Sequence, residues 1–422
     1  MKILLRSVKI IDGGSPHHNK TKDVLIEDGI IKTISDKIGE GADKTIEGKG
    51  NCLSIGWFDL HVNFREPGFE FKEDLLSGCK AAMAGGFTEV LCMPSTFPVI
   101  QSKSEIELIR TKTKEELVNV HAAGALSVNL EGKDLSEMYD MHINGALAFT
   151  DDKKAVQDSG LMLRALLYTK NFNGLVMSYA DDKYISVKGQ MNEGASATQL
   201  GLKGIPSLAE ELMLNRDIFL SEYAGTKIHF SCVSSAKSIE LIRAAKTKGL
   251  KVTCDVSAHN ILLDDSMLNE FDTNYKVKPP LRTKEDIKAI VAGLKDGTID
   301  SISSDHSPED VENKIKEFDL AAFGIIGLET AYAVANTALH KTIPLENLIE
   351  KFTTNPRRLL SLHAFVIKEG EKANLTLFDP EEEWTVGKEH IHSKSLNTPF
   401  VGMKLKGRAK AVFNNGRFKE IA

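Results

Sequence analysis

Hydrophobic and polar positions alternate along the first fifty residues. Short runs at 4–11, 23–26 and 30–34 predict strands, separated by Gly13-Gly14 and Asp28-Gly29. The C-terminal end behaves likewise. Residues 373–378 alternate, and 409–413 precede Asn414-Asn415-Gly416, a turn signal. Between the ends the rhythm changes. Apolar strand-like runs at 89–93, 146–150, 175–179, 228–232, 252–256 and 299–303 alternate with helical patterns at 72–84, 161–169, 208–220, 238–248 and 284–294. This βα rhythm predicts parallel strands joined by crossover helices. A doubly wound sheet would give a similar rhythm, but no GxGxxG follows the first strand, so a (β/α)8 barrel is favoured. The predicted fold is α/β: a (β/α)8 TIM-type barrel over residues 55–366, with a small β-sandwich formed by residues 1–54 and 367–422.

Composition narrows the function. The net charge of -6, from 53 Lys+Arg against 59 Asp+Glu, offers no basic surplus for nucleic acid. No stretch approaches the roughly 18 apolar residues that would suggest a membrane span. The N-terminal apolar run breaks at Arg6, too early for a signal peptide. Cys52, Cys79, Cys92, Cys232 and Cys254 are odd in number, widely spaced and without a CxxC pair, so reduced thiols in a cytoplasmic protein are expected. Twelve histidines suffice for a metal enzyme, and their placement decides whether one is present.

Active sites of such barrels sit at the C-terminal ends of the strands. Polar groups collect there: 59–68, Met93-Pro94-Ser95-Thr96, Thr150-Asp151-Asp152, Tyr179-Ala180-Asp181-Asp182, Cys232-Val233-Ser234, His259-Asn260, and Ser304-Asp305-His306-Ser307-Pro308-Glu309. Residues i and i+2 of a strand face one side, so His61 and Asn63 should both enter the barrel mouth.

This pattern resembles the dihydroorotases of the amidohydrolase superfamily, in the bacterial class that is also similar to allantoinase. The resemblance runs nearly end to end, through 59–68, Gly85-Gly86-Phe87-Thr88, 149–152, Met191-Asn192-Glu193-Gly194, 201–206, 274–282, 324–330 and Asn397-Thr398-Pro399-Phe400. It implies one or two zinc ions at the barrel mouth. The metal would lower the pKa of a water and polarise the amide carbonyl while an aspartate shuttles the proton. It also implies residue roles. The paired metal histidines fall on His61 and Asn63, the bridging aspartate on Asp152, the two later zinc histidines on Tyr179 and Cys232, and the catalytic aspartate on Asp305. Three of these four histidine positions thus carry other residues. Asparagine offers a neutral amide oxygen, a phenol binds zinc only on losing its proton, and Cys232 can bind as a thiolate.

The implied substrate contacts differ as well. Arg65 matches the arginine that grips the substrate carboxylate, but the family's asparagines fall on Ser95 and Lys278, and its histidine on Glu309. His259 matches a position beside the substrate. A carboxylate at Glu309 would repel the substrate's own, by about one to several kcal/mol in a partly dry site, unless Lys278 pairs with Glu309 or with the substrate.

Three readings follow. The first is a catalytically inactive dihydroorotase homologue of pyrimidine biosynthesis, without a cofactor. In it His61, Asp152 and Asp305 are hydrogen-bonded or ion-paired, Arg65 pairs with a nearby carboxylate, Cys232 is a small buried residue, His229 and His259 are satisfied barrel histidines at strand positions and His306 packs on the other face. Inactive relatives in this family serve as structural partners of aspartate carbamoyltransferase, so that partner and a homodimer are expected candidates. The second is an active cyclic-amide hydrolase with a single zinc ion on His61, Asp152 and Cys232 and with Asp305 as catalytic group. The third is a protein that binds a pyrimidine intermediate in the old pocket.

Overall fold

The computed structural model describes residues 1–421. Eight parallel strands form the barrel: β1 (Trp57–Val62), β2 (Phe87–Cys92), β3 (Asn119–Ala125), β4 (Ala148–Thr150), β5 (Val176–Ser178), β6 (Ile228–Phe230), β7 (Val252–Ser257) and β8 (Ser301–Ser303). They pair in chain order from β1 to β8. The segment after β8 closes the ring: Asn63 N donates to His306 O at 2.8 Å, and Ser304 N to Asp59 Oδ2 at 3.0 Å. Every residue of β1 and β2 is buried, as expected for strands covered by helices outside and side chains inside.

The helices start where the sequence supplies caps. Asp74, Ser102 and Thr283 form capping boxes for Leu75–Ala84, Lys103–Thr113 and Lys284–Asp296. Gly225 ends Ser207–Ala224 at φ +64°, a left-handed stop that costs glycine nothing.

The floor of the barrel is apolar. Phe58, Leu60, Leu91, Met93, Ala123 and Met177 are among the residues packed together there. Val62 instead joins the larger cluster that holds the helix residues Ile106 and Ile109. This change of side follows an irregularity in the β1–β2 ladder between Asp59 and Val62. It lets Leu60 fill the floor while His61 and Asn63 both reach the mouth.

The chain ends build one hydrogen-bonded sheet of eight strands, into which the N-terminal segments and Leu375–Thr385, Lys404–Asn414 and Arg417–Glu420 all enter. Strand Cys52–Ile55 belongs to this sheet, pairing antiparallel with Leu375–Thr385, and β1 of the barrel begins two residues later. Glu89 of β2 ties the two parts together: it accepts from Arg357 Nη2 at 2.8 Å and from Asn374 Nδ2 at 2.7 Å, with His121 Nε2 at 3.0 Å. Among the described residues, no helix is long and apolar enough to cross a membrane.

Candidate active site

The strand ends converge on a mouth cavity of about 280 Å³, lined in part by Asn63, Arg65, Ser95, Asp152, Lys153 and Asp305. Arg65, Asp152, Cys232 and Asp305 all have φ between 51° and 61°. Left-handed backbone at four non-glycine residues stores strain, and such strain persists where the surroundings over-determine the geometry.

Asp152 is the centre of a closed network. His61 Nε2 lies 2.8 Å from its Oδ1. Asn63 Nδ2 donates to Oδ2 at 2.9 Å and Ser95 Oγ donates to the same oxygen at 2.6 Å. Burial opposes ionisation of Asp152, but His61 and Lys153 outweigh it and hold the carboxyl well below its usual range. Burial likewise opposes charge on His61, and the facing Cys232 and Asp152 prevail and push its pKa well up.

Asp305 lies 3.7 Å from His61 Nε2 and makes an ion pair of 2.9 Å with Lys153 Nζ. That ammonium also sits 4.9 Å from the centre of the Tyr179 ring. It stays charged against its burial because Asp305, Cys232 and Asp152 surround it. Tyr179 and Cys232 are buried, and burial pushes both their pKa values up. Cys232 Sγ is 3.7 Å from His61 Nδ1. The expectation that His259 is a satisfied strand histidine is corrected: it opens the helical turn His259–Leu262 beyond β7, approaches Asp305 Oδ2 at 3.9 Å, and neither of its ring nitrogens has a hydrogen-bond partner. Burial lowers its pKa to about 4.

The expected substrate contacts are spent on each other. Arg65 Nη2 pairs with Glu309 Oε1 at 3.0 Å and donates to Ser307 Oγ at 3.1 Å, while Nε donates to Pro308 O. Lys72 Nζ holds the other Glu309 oxygen at 2.6 Å. The expectation that Lys278 offsets Glu309 is corrected: Lys278 pairs with Asp181 at 2.7 Å. Glu309 has no need of it, because Arg65 and Lys72, both from the segment after β1, already neutralise it.

His229 and His306 fall as expected. His229 lies 2.8 Å from Asp255 Oδ2 and 2.9 Å from Thr253 Oγ1. His306 accepts from Gly327 N and faces Glu73 at 3.4 Å, away from the mouth. The sequence placed Asp181 among the strand-end polar groups without a role and did not single out Lys153 or Lys72. Of those two, Lys153 left a local signal, as a cation directly after Asp152.

The donor set can be tested against a metal. Among the described residues, His61, Cys232 and Asp305 bring one ligand atom each within 4.8 Å of one another. Against this, both Asp152 oxygens are hydrogen-bonded by protein, and a lysine ammonium contacts Asp305. Zinc needs three or four strong, deprotonated donors. The residues present do not fit a two-metal centre, and a single ion would have to displace Lys153.

Known structures share this architecture. L-hydantoinase (dihydropyrimidinase) from Arthrobacter aurescens superposes with a TM-score of 0.82 at 22% identity, covering 99% of this chain and 95% of its own. A D-hydantoinase gives 0.82 at 24% identity with the same coverage. The fold is therefore that of the barrel amidohydrolases. Residues 50–238 match the family described as dihydro-orotase-like. The dihydroorotase of Acetivibrio thermocellus is 42% identical over 417 residues, covering 98% of each chain. That of a Thermoanaerobacter strain is 41% identical over 423 residues, covering 99% of this chain and 97% of its own. The chain belongs to the dihydroorotase family of cyclic amidohydrolases of pyrimidine metabolism.

Proposed function

We propose that this chain is a non-catalytic member of the dihydroorotase family that keeps the fold and has closed the reaction centre with its own side chains. The observation that carries this reading is the state of Asp152. Asn63 and Ser95, which stand where a metal histidine and a substrate asparagine are expected, both donate to it. These replacements support one another instead of leaving gaps. Glu309 does the same for Arg65, occupying with an internal carboxylate the group that would grip the substrate's. The test is dihydroorotate formation and hydrolysis, assayed with zinc supplied beside the Acetivibrio relative. The expected rate is at least about a thousandfold lower, the size of losing a metal-generated nucleophile. A rate within tenfold of the relative's overturns the reading.

A non-catalytic chain of this kind acts through what it binds. We take aspartate carbamoyltransferase as its candidate structural partner and a homodimer as its own assembly, on the strength of the family resemblance. Co-elution of the two purified proteins in size-exclusion chromatography is the expected result, and separate elution at micromolar concentrations counts against this role.

The cluster of His61, Cys232 and Asp305 favours a second reading, an active hydrolase with one zinc ion. It requires that Cys232→Ala abolish both metal binding and turnover. The third reading, retention of a pyrimidine intermediate in the mouth cavity, requires a thermal shift with such a ligand in the wild-type protein.

A further inference from the structure

Two buried carboxylates share the barrel mouth. Asp152 Oδ1 and Asp305 Oδ1 lie 2.8 Å and 3.7 Å from the same His61 nitrogen. Buried anions this close to one another need a compensating cation. In a metal-bearing member of this family the ion would supply it.

Here Lys153 reaches into the same space. Its Nζ is buried, although part of its stem remains accessible, and stands 2.9 Å from Asp305. It also lies over the ring of Tyr179, one of the positions to which the family assigns a metal histidine. The backbone explains how two neighbouring side chains enter one cavity. In a strand, Asp152 and Lys153 would point to opposite sides. The left-handed φ of 52° at Asp152 breaks that alternation.

We propose that the Lys153 ammonium is the resident cation of this mouth, standing in for the metal and keeping divalent ions out. A zinc ion on Asp305 would sit about 2 Å from a carboxylate oxygen. It would then adjoin a fixed ammonium in a weakly screening interior, where like charges repel strongly. Lys153 therefore does two things at once. It neutralises Asp305, and it makes the His61, Cys232 and Asp305 cluster unusable as a metal site. This inference deepens the non-catalytic reading and rests on it only in taking the wild-type mouth to be metal-free.

The experiment measures thermal unfolding with and without zinc, and bound zinc, for the wild type, Lys153→Arg, Lys153→Gly and Lys153→Gly/Cys232→Ala. All are expressed in zinc-supplemented medium. The wild type and Lys153→Arg, which keeps the charge, should show neither bound zinc nor a shift. Lys153→Gly should hold about one zinc per chain and gain about 3 °C in Tm at a hundredfold excess of zinc over its Kd. Adding Cys232→Ala should remove that gain. The proposal is overturned if wild-type protein takes up zinc with Lys153 in place, or if Lys153→Gly does not respond to zinc. It is also overturned if Lys153→Gly is insoluble both with and without zinc, because the ion should restore the missing charge. Wild-type turnover without zinc would overturn the non-catalytic reading and leave this proposal standing. A zinc-blind Lys153→Gly would do the reverse.

Discussion

Asn63 donates through Nδ2 to Oδ2 of Asp152 at 2.9 Å. The family places a metal-binding histidine at the first of these positions and a metal-bridging carboxylate at the second. In this chain they form a direct, buried hydrogen bond, and Ser95 adds a second donor to the same oxygen. A carboxylate satisfied in this way has little left to offer an ion.

Removing one donor should therefore be tolerated and removing both should not. Asn63→Ala or Ser95→Ala is expected to cost about 1–3 kcal/mol, the range for leaving a buried acceptor short of one partner. The double variant should lose more than the sum by at least about 0.5 kcal/mol, because the two share an oxygen. Thermal or chemical unfolding of the four proteins gives the coupling directly, and strict additivity would contradict the shared network.

Glu309 is held by Arg65 and Lys72 while all three are largely buried. Glu309→Ala leaves two cations without their partner. A loss of about 2–3 kcal/mol is expected, below the usual cost of breaking a fully buried pair because Arg65 and Lys72 keep some contact with solvent. The same variant frees Arg65 for an external anion. Dihydroorotate should raise its Tm where it leaves the wild type unchanged, and an equal response in both would mean that Glu309 does not block the grip.

Glu89 sets an acid limit on the fold. Burial alone would raise its pKa, but the Arg357 guanidinium and His121 outweigh burial and lower it to about 2. A folded-state value below the unfolded one means stability that is complete above about pH 4.5 and is lost as the pH falls toward 2. At about 1.4 kcal/mol per pKa unit, that amounts to roughly 3 kcal/mol. Glu89→Gln should be destabilised by about this much at pH 7. Its difference from the wild type should shrink through the same acid window, as followed by unfolding at stepped pH. A gap that stays constant from pH 7 to 2.5 would rule out the titration of Glu89 as its source.

The barrel was legible in the sequence wherever strands are apolar runs, as in β2 and β4–β8. β1 and β3 were not among those runs. Trp57–Val62 interleaves Asp59 and His61 with apolar residues because its far end faces the mouth, and Asn119–Ala125 is built largely of alanine and glycine. Lys44–Glu47 escaped notice because it is half-exposed and mostly polar. Site positions were legible through the family pattern, and the ion pair at Arg65 was foreseen in kind. The partners were not. Lys153, Lys72 and Asp181 meet Asp305, Glu309 and Lys278 only through folding, so nothing local marks the pairing. Lys153 in particular depends on a left-handed residue before it, which a strand pattern does not predict.

The central claim is that the mouth is closed by its own side chains and carries no metal. Elemental analysis of the wild-type protein, purified without chelator from zinc-supplemented cells, tests it most directly. The account predicts less than about 0.1 zinc per chain, because both Asp152 oxygens are hydrogen-bonded by protein and the Lys153 ammonium holds Asp305. One or two zinc ions per chain, removed together with the mouth residues His61 and Cys232, would contradict it.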